Sequence, residues 1–146
     1  MLKERLLEDL KKGMKEKDEI RKNTITLIRA GILQYEKDKQ IEITEEQILE
    51  IIAKEAKKRK DSLPDYEKSG REDLVEQIKK ELEIINEYLP KQLGEEELTN
   101  IIEEVIKKEN ARSMKDMGNV MKIVKQKVGV SADGKTINEI VKRLLA

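Results

Sequence analysis

Met117–Ala146 reads MGNVMKIVKQKVGVSADGKTINEIVKRLLA. Met117, Val120, Met121, Val124 and Val128 recur three and four residues apart, the spacing of one face of an α-helix. Ile137, Ile140, Val141, Leu144 and Leu145 repeat the pattern. Between the two runs, Gly129 can take the left-handed backbone that ends a helix. Asp133 can cap the next helix, with Gly134 tolerating close approach. The stretch therefore reads as helix, turn, helix. No segment of the chain alternates with the two-residue period of a strand over a useful length; Lys39–Thr44 and Val128–Ala132 are short and extended at most. This predicts an all-α fold.

The same period extends towards the N-terminus. Leu98, Ile101, Ile102, Val105 and Ile106 mark a helix ending near Asn110, and Ser113 and Asp116 can cap the one that follows. Leu74, Val75, Ile78, Leu82, Ile85 and Leu89 form a long stripe that Pro90 stops, with SGRE at Ser69–Glu72 as a capping box before it. TEEQ at Thr44–Gln47 is a second capping box. It opens a helix carrying Ile48, Ile51, Ile52, Glu55 and Ala56 to about Ser62, where Pro64 is expected to end it, because proline disfavours helical geometry in the residue before it. Ile20, Thr24, Leu27, Ile28, Gly31 and Tyr35, widened by Ile25 and Ile32, line an earlier helix. Leu2, Leu6, Leu7, Leu10 and Met14 line the first. The expected architecture is two-lobed: about four helices in an N-terminal bundle over residues 1–92, and a smaller three-helix domain over residues 93–146. The boundary is placed in the segment from Pro90 to Gly94.

Composition narrows the chemistry. Charged residues make up 42% of the 146 residues and hydrophobic ones 37%, with no Trp, Phe, Cys or His and three Tyr. The core must come from Ile, Leu, Val and Met. Without Cys there is no thiolate nucleophile and no thiolate-held metal. Without His the commonest metal ligand and the usual general base near neutral pH are missing. Serines lack a His partner, and neither a Walker loop nor GxGxxG is present. No catalytic residue, cofactor or metal is assigned. MLKERLLEDL has no uninterrupted apolar core, which predicts neither a signal peptide nor a membrane span. The expected location is the cytoplasm.

The 31 carboxylates fall mostly on the outer helix faces beside Lys or Arg. Glu55 lies near an apolar stripe, where an ion pair with Arg59 one turn on explains it. Formal charge sums to zero, so electrostatic recognition has to be local. One candidate patch is Lys57, Lys58, Arg59 and Lys60, read as lying at a helix C-terminus, where cations also suit the dipole. The other begins at Arg112 and holds Arg112, Lys115, Lys122, Lys125, Lys127, Lys135, Lys142 and Arg143 against Asp116, Asp133 and Glu139, an excess of five in about 35 residues. That bias suits phosphate contact. No aromatic side chain stands among these bases, so base stacking is unavailable and readout falls to shape and backbone. Gly118, inside a helix, suggests that another helix or a partner approaches closely there.

Arg71–Leu98, REDLVEQIKKELEIINEYLPKQLGEEEL, resembles the GatB/YqeY family. KKRKDSLPDYEKSGREDL before it fits the same pattern, as do DMGNVMKIVKQKV and ADGKTINEIVKRLL after it. The resemblance covers essentially the whole chain. It implies an all-helical, two-lobed accessory module without catalytic residues, related to the C-terminal tail of the B subunit of aspartyl/glutamyl-tRNA amidotransferase, which helps hold tRNA. Carried over by position, the tRNA-facing residues are Gly118, Asn119, Lys122, Asp133, Gly134, Lys135 and Asn138; Lys125 joins them on charge. Where the family commonly has Gly followed by Lys or Arg before Ala-Asp-Gly, this chain has Val130 and Ser131, which removes one basic contact. The leading expectation is a tRNA-binding module acting through the C-terminal lobe. A protein-interaction adaptor for a tRNA-modifying or aminoacylating enzyme is the alternative. Carbon–nitrogen ligase chemistry with glutamine as amide donor rests on kinship alone.

Overall fold

The computed structural model describes residues 1–146 and is all-helical. Seven α-helices follow one another: α1 (Leu2–Lys15), α2 (Glu19–Lys39), α3 (Glu45–Lys68), α4 (Glu72–Asn86), α5 (Glu95–Lys108), α6 (Met117–Val128) and α7 (Gly134–Leu145). Short 3-10 turns at Met114–Asp116 and Gly129–Ser131 precede and follow α6. The chain divides into two compact units, Met1–Leu89 and Pro90–Ala146.

In the first unit, α1 to α4 pack around an aliphatic core. Leu6, Ile25, Ile28, Ile52 and Ile85 are fully buried in it, and Tyr88 nearly so. Charge surrounds this core, and part of it is tied down locally. The Tyr88 hydroxyl donates to Asp9, and the Arg5 guanidinium stands 4.5 Å from the Tyr88 ring centre. Burial, followed by the hydrogen bond to Asp9, pushes the Tyr88 phenol well above its ordinary range. Buried Thr24 donates to the Ile20 carbonyl at 2.8 Å, which satisfies its hydroxyl inside the helix.

The capping box at Thr44 forms as its spacing requires: Thr44 accepts from the Gln47 N–H at 3.2 Å, and the Gln47 side chain accepts from the Thr44 N–H at 3.0 Å. Three local expectations are corrected. Pro64 does not end α3, which runs on to Lys68 with Pro64 inside it. The bond that proline removes costs about 3 kcal/mol in a helix interior. Packing of α3 along α4, the most extensive helix pairing in the unit, offsets that cost. SGRE is not a capping box: α4 has no side-chain cap, and the Ser69 hydroxyl donates back to the Tyr66 carbonyl at 3.0 Å. Gly70 takes φ +73° to leave α3, which commits Ser69 to the end of the helix behind it. Leu27 is 54% exposed, because the inner face of α2 centres on Ile25, Ile28 and Ile32 and Leu27 falls past its edge.

In the second unit, α5, α6 and α7 enclose Leu98, Ile102, Val120, Val124, Ile137 and Val141. The extended segment before α5 belongs with this core: Leu93 packs against it and gives its N–H to the Ser131 carbonyl at 2.8 Å. Gly129 ends α6 with φ +55° and ψ −129°, a positive φ as its turn position demands, though outside the ordinary left-handed helical well. The expected extended stretch at Val128–Ala132 is mostly 3-10 turn, with only Ala132 extended.

Two substitutions separate these backbone effects. Pro64→Ala should raise the denaturant midpoint, by up to about 3 kcal/mol of stability. Gly70→Ala should lower it by about 1 kcal/mol, although open space surrounds Gly70, because its φ is positive. A Pro64→Ala variant less stable than the parent would contradict this account of α3.

Candidate nucleic-acid interface

The two basic features of the sequence have different structural fates. Lys57 to Lys60 lie mid-helix, since α3 continues past them, so the helix-end explanation is withdrawn. They do not form one patch. The Arg59 side chain is 11% exposed and turned inwards, with Glu55 at 2.8 Å and Glu81 of α4 at 3.6 Å. Lys58 reaches Glu55 at 3.4 Å. Lys57 and Lys60 remain exposed one turn apart on the same face of α3, and Asp61 and Asp65 follow within the next turns.

Arg59 instead joins two helices. It gives one guanidinium N–H to the Glu55 carboxylate and another bond to the Glu55 carbonyl at 3.0 Å, while its buried Nε has no hydrogen-bond partner and faces Glu81 at ion-pair distance. Burial alone would raise the Glu55 pKa; the Arg59 hydrogen bond and the charges of Lys58 and Arg59 outweigh it and hold the carboxyl below its ordinary 4.5.

The C-terminal cations stay in solvent. All eight cations from Arg112 onward are exposed, and Arg143 alone among them is ion-paired, with Glu95 at 3.3 Å. Charge is segregated by helix: α6 carries three lysines and no acid, whereas α5 carries five glutamates and two lysines. Asn119, Lys122 and Lys125 succeed one another at three-residue steps on the water side of α6, with Val120, Val124 and Val128 inside. The approach to this face is set by short polar contacts. Asp116 accepts from the Arg112 N–H at 2.9 Å and from the Ser113 N–H at 3.4 Å, which shapes the turn before α6. Asp133 accepts from the Lys135 N–H at 3.1 Å and starts α7.

Lys125 and Gly134 are brought together. A Cβ on Gly134 would sit 3.8 Å from Lys125 Cε and 4.0 Å from its Nζ, ordinary contact distances, so the Lys125 side chain lies against the start of α7, one residue from exposed Lys135. Asn138 lies one turn further on, with its Oδ1 buried and without a partner. Gly118 and Asn119 are not part of this meeting: they begin α6, about 10 Å along the helix axis from Lys125. No helix approaches Gly118, which has open space around it; the expectation of close packing there is withdrawn. An open hollow of about 560 Å³ runs along α5 and is lined by Glu103, Glu104, Lys107 and Leu144 among others, but by none of Lys122, Lys125 and Lys135. Sequence spacing does not reach Gln92, whose side chain donates to the Val130 carbonyl at 3.1 Å from 38 residues away. Its one signal is its place in the YLPKQL block of the resemblance.

The family model described as Yqey-like protein matches residues 3–145. The chain belongs to the YqeY-like family. Among curated relatives, "Altered inheritance of mitochondria protein 41, mitochondrial" of Lachancea thermotolerans is 42% identical over 85 residues, which is 58% of this chain and 46% of that protein. Its namesake in Kluyveromyces lactis is 39% identical over 88 residues, 57% of this chain and 45% of that protein. That of Pyrenophora tritici-repentis is 31% identical over 144 residues, 94% of this chain and 79% of that protein. The match thus spans a little under half the length of the two yeast relatives. These YqeY-like relatives are named as mitochondrial proteins, which overturns the expected cytoplasmic location. That expectation rested on the lack of an apolar span. No helix is long and apolar enough to cross a membrane, but this property does not separate one aqueous compartment from another.

Replacing Arg59 by Met leaves Glu81 without its ion pair and Glu55 with Lys58 alone, and should cost about 2–4 kcal/mol by chemical denaturation. The Glu55 contribution has a definite pH sign. Its folded pKa is depressed, so its stabilisation is complete above 4.5 and disappears as pH falls through the lower folded value. The gap between parent and Arg59→Met should therefore narrow below pH 4.5. A constant gap down to acid unfolding would exclude the ion pair as its source.

Proposed function

We propose that the C-terminal unit is a tRNA-binding module that holds RNA by its phosphate backbone, in a protein that carries out no catalysis of its own. The observation that supports it is the set of seven exposed cations without an ion-pair partner in a 35-residue stretch, three of them on a helix free of acids. Uncompensated Lys and Arg on a rigid face favour a polyanion through release of its counterions. The resemblance to the amidotransferase B-subunit tail supports the same partner. Lys122, Lys125 and Lys135 would carry the phosphate contacts, with Lys125 lying against the start of α7 at Gly134.

The absence of aromatic side chains from this face argues for readout by backbone shape, not base stacking. The adaptor reading rested on the Lys57–Lys60 stretch or on open apolar faces; Arg59 is engaged by two carboxylates, and exposed Leu27 and Leu33 are what remains to support that reading. Carbon–nitrogen ligase activity has only kinship behind it.

The test is a titration of labelled tRNA with the full chain at about 50 and 200 mM salt. Affinity should fall steeply as salt rises. Changing Lys122, Lys125 and Lys135 together to Glu should weaken binding at least about tenfold and reduce the salt slope by roughly two to three. Absent or salt-independent binding would remove the proposal, and an unchanged triple variant would place the contact elsewhere.

A further inference from the structure

The turn that delivers the chain to α7 is not self-sufficient. After Gly129–Ser131 the backbone goes extended at Ala132, so the carbonyls of Val130 and Ser131 have no helical N–H ahead of them. Both are taken by the segment before α5. The Gln92 amide donates to Val130 at 3.1 Å and to Pro90 at 3.1 Å, and the Leu93 N–H donates to Ser131 at 2.8 Å. A primary amide has two N–H protons, and here both are used. The strap itself is firm: proline fixes φ at Pro90, and Leu93 is packed on the α5–α7 core. The residues it holds stand just before Asp133, Gly134 and Lys135, where Asp133 caps α7 and Lys125 crosses its start.

We propose that Gln92 is a positioning residue for the phosphate-binding face: by clamping the Val130 carbonyl it fixes the turn from which Asp133, Gly134 and Lys135 project. The proposal rests on the tRNA-binding reading above. Gln92 does not contact the RNA. It keeps Lys135 and Lys125 in one arrangement, so that binding does not bear the cost of ordering them. Because Gln92 is exposed and bonds only two carbonyls, its loss should leave the helices intact.

The experiment uses the full chain with Gln92→Met, which keeps length and neutrality but cannot donate, and Gln92→Ala as a second variant. The probe is tRNA, titrated across the same salt range. Both variants should bind roughly fivefold more weakly, with the salt slope of the parent, since the same cations meet the same phosphates. The Lys135 amide, bonded to Asp133, should exchange with deuterium faster, while the amides within α5 and α6 and the melting temperature stay as in the parent.

Parent-like affinity in both variants would overturn the proposal. So would a loss of affinity accompanied by general loss of protection, which would make Gln92 a residue of stability alone. A drop in salt slope would also count against it, because it would make Gln92 part of the contact. If the parent chain binds no tRNA, the functional reading fails and this inference falls with it. If the parent binds and the Gln92 variants match it, only this inference fails.

Discussion

Ile, Leu and Val stripes, one per helix, have to be covered within a chain in which 42% of the residues are charged and 2% aromatic. Burial of these stripes is the dominant favourable term, and it assigns every other side chain its place. Each helix turns its stripe to neighbours of its own unit, as Leu6, Ile25, Ile28 and Ile52 do in the first and Ile102, Val120, Val124 and Val141 in the second. The charged faces then have nowhere to go but outwards. Where a charge is drawn in, as at Arg59, two carboxylates are drawn in with it, because an unpaired buried guanidinium would be too costly.

The limits of sequence reading follow from the same division between local and distant forces. The helical period, the Thr44 capping box and the Asp133 cap depend on residues within one turn, and each is present as its spacing implies. The local preference of Pro64 is real but is overridden by packing against α4, which no local rule contains. At Ser69 two local rules compete, a cap for the next helix and an exit from the last; the positive φ of Gly70 decides for the exit. Arg59 looked like a member of a cationic run since Glu55 could be seen one turn back but Glu81, on another helix, could not.

At the candidate interface the balance is similar. The exposure of Lys122, Lys125 and Lys135 is readable from the positions of Val120, Val124 and Ile137 on the buried faces. That Lys125 meets Gly134, and that Gln92 supports the turn before it, depends on how segments pack at long range. Gly118 teaches the opposite lesson. A glycine in a helix invites a search for a close neighbour, yet this one lies in the first turn of α6 with open space around it, and the structure offers no packing reason for it.

In the second unit acids and cations are segregated by helix, and this segregation is the strongest link between fold and proposed function. In the first unit Lys3 pairs with Glu36, Arg21 with Glu87 and Arg59 with Glu55, while others, such as Lys11, Lys54 and Lys79, stand exposed without an ion pair. In the second, acids collect on α5 while α6 has none, and the cations of α6 and α7 stay uncompensated save for Arg143. On α6, neutralising them would require only an acid three or four residues away on the same helix face, a change the core would not feel because that face is solvated, whereas on α7 Glu139 already stands within one turn of Lys135 and Lys142. The isolation of the α6 lysines is therefore not imposed by folding. A surface that the core leaves free to be neutral, and that nevertheless keeps its positive charge beside a braced turn, has the physical character expected of a contact with a polyanion.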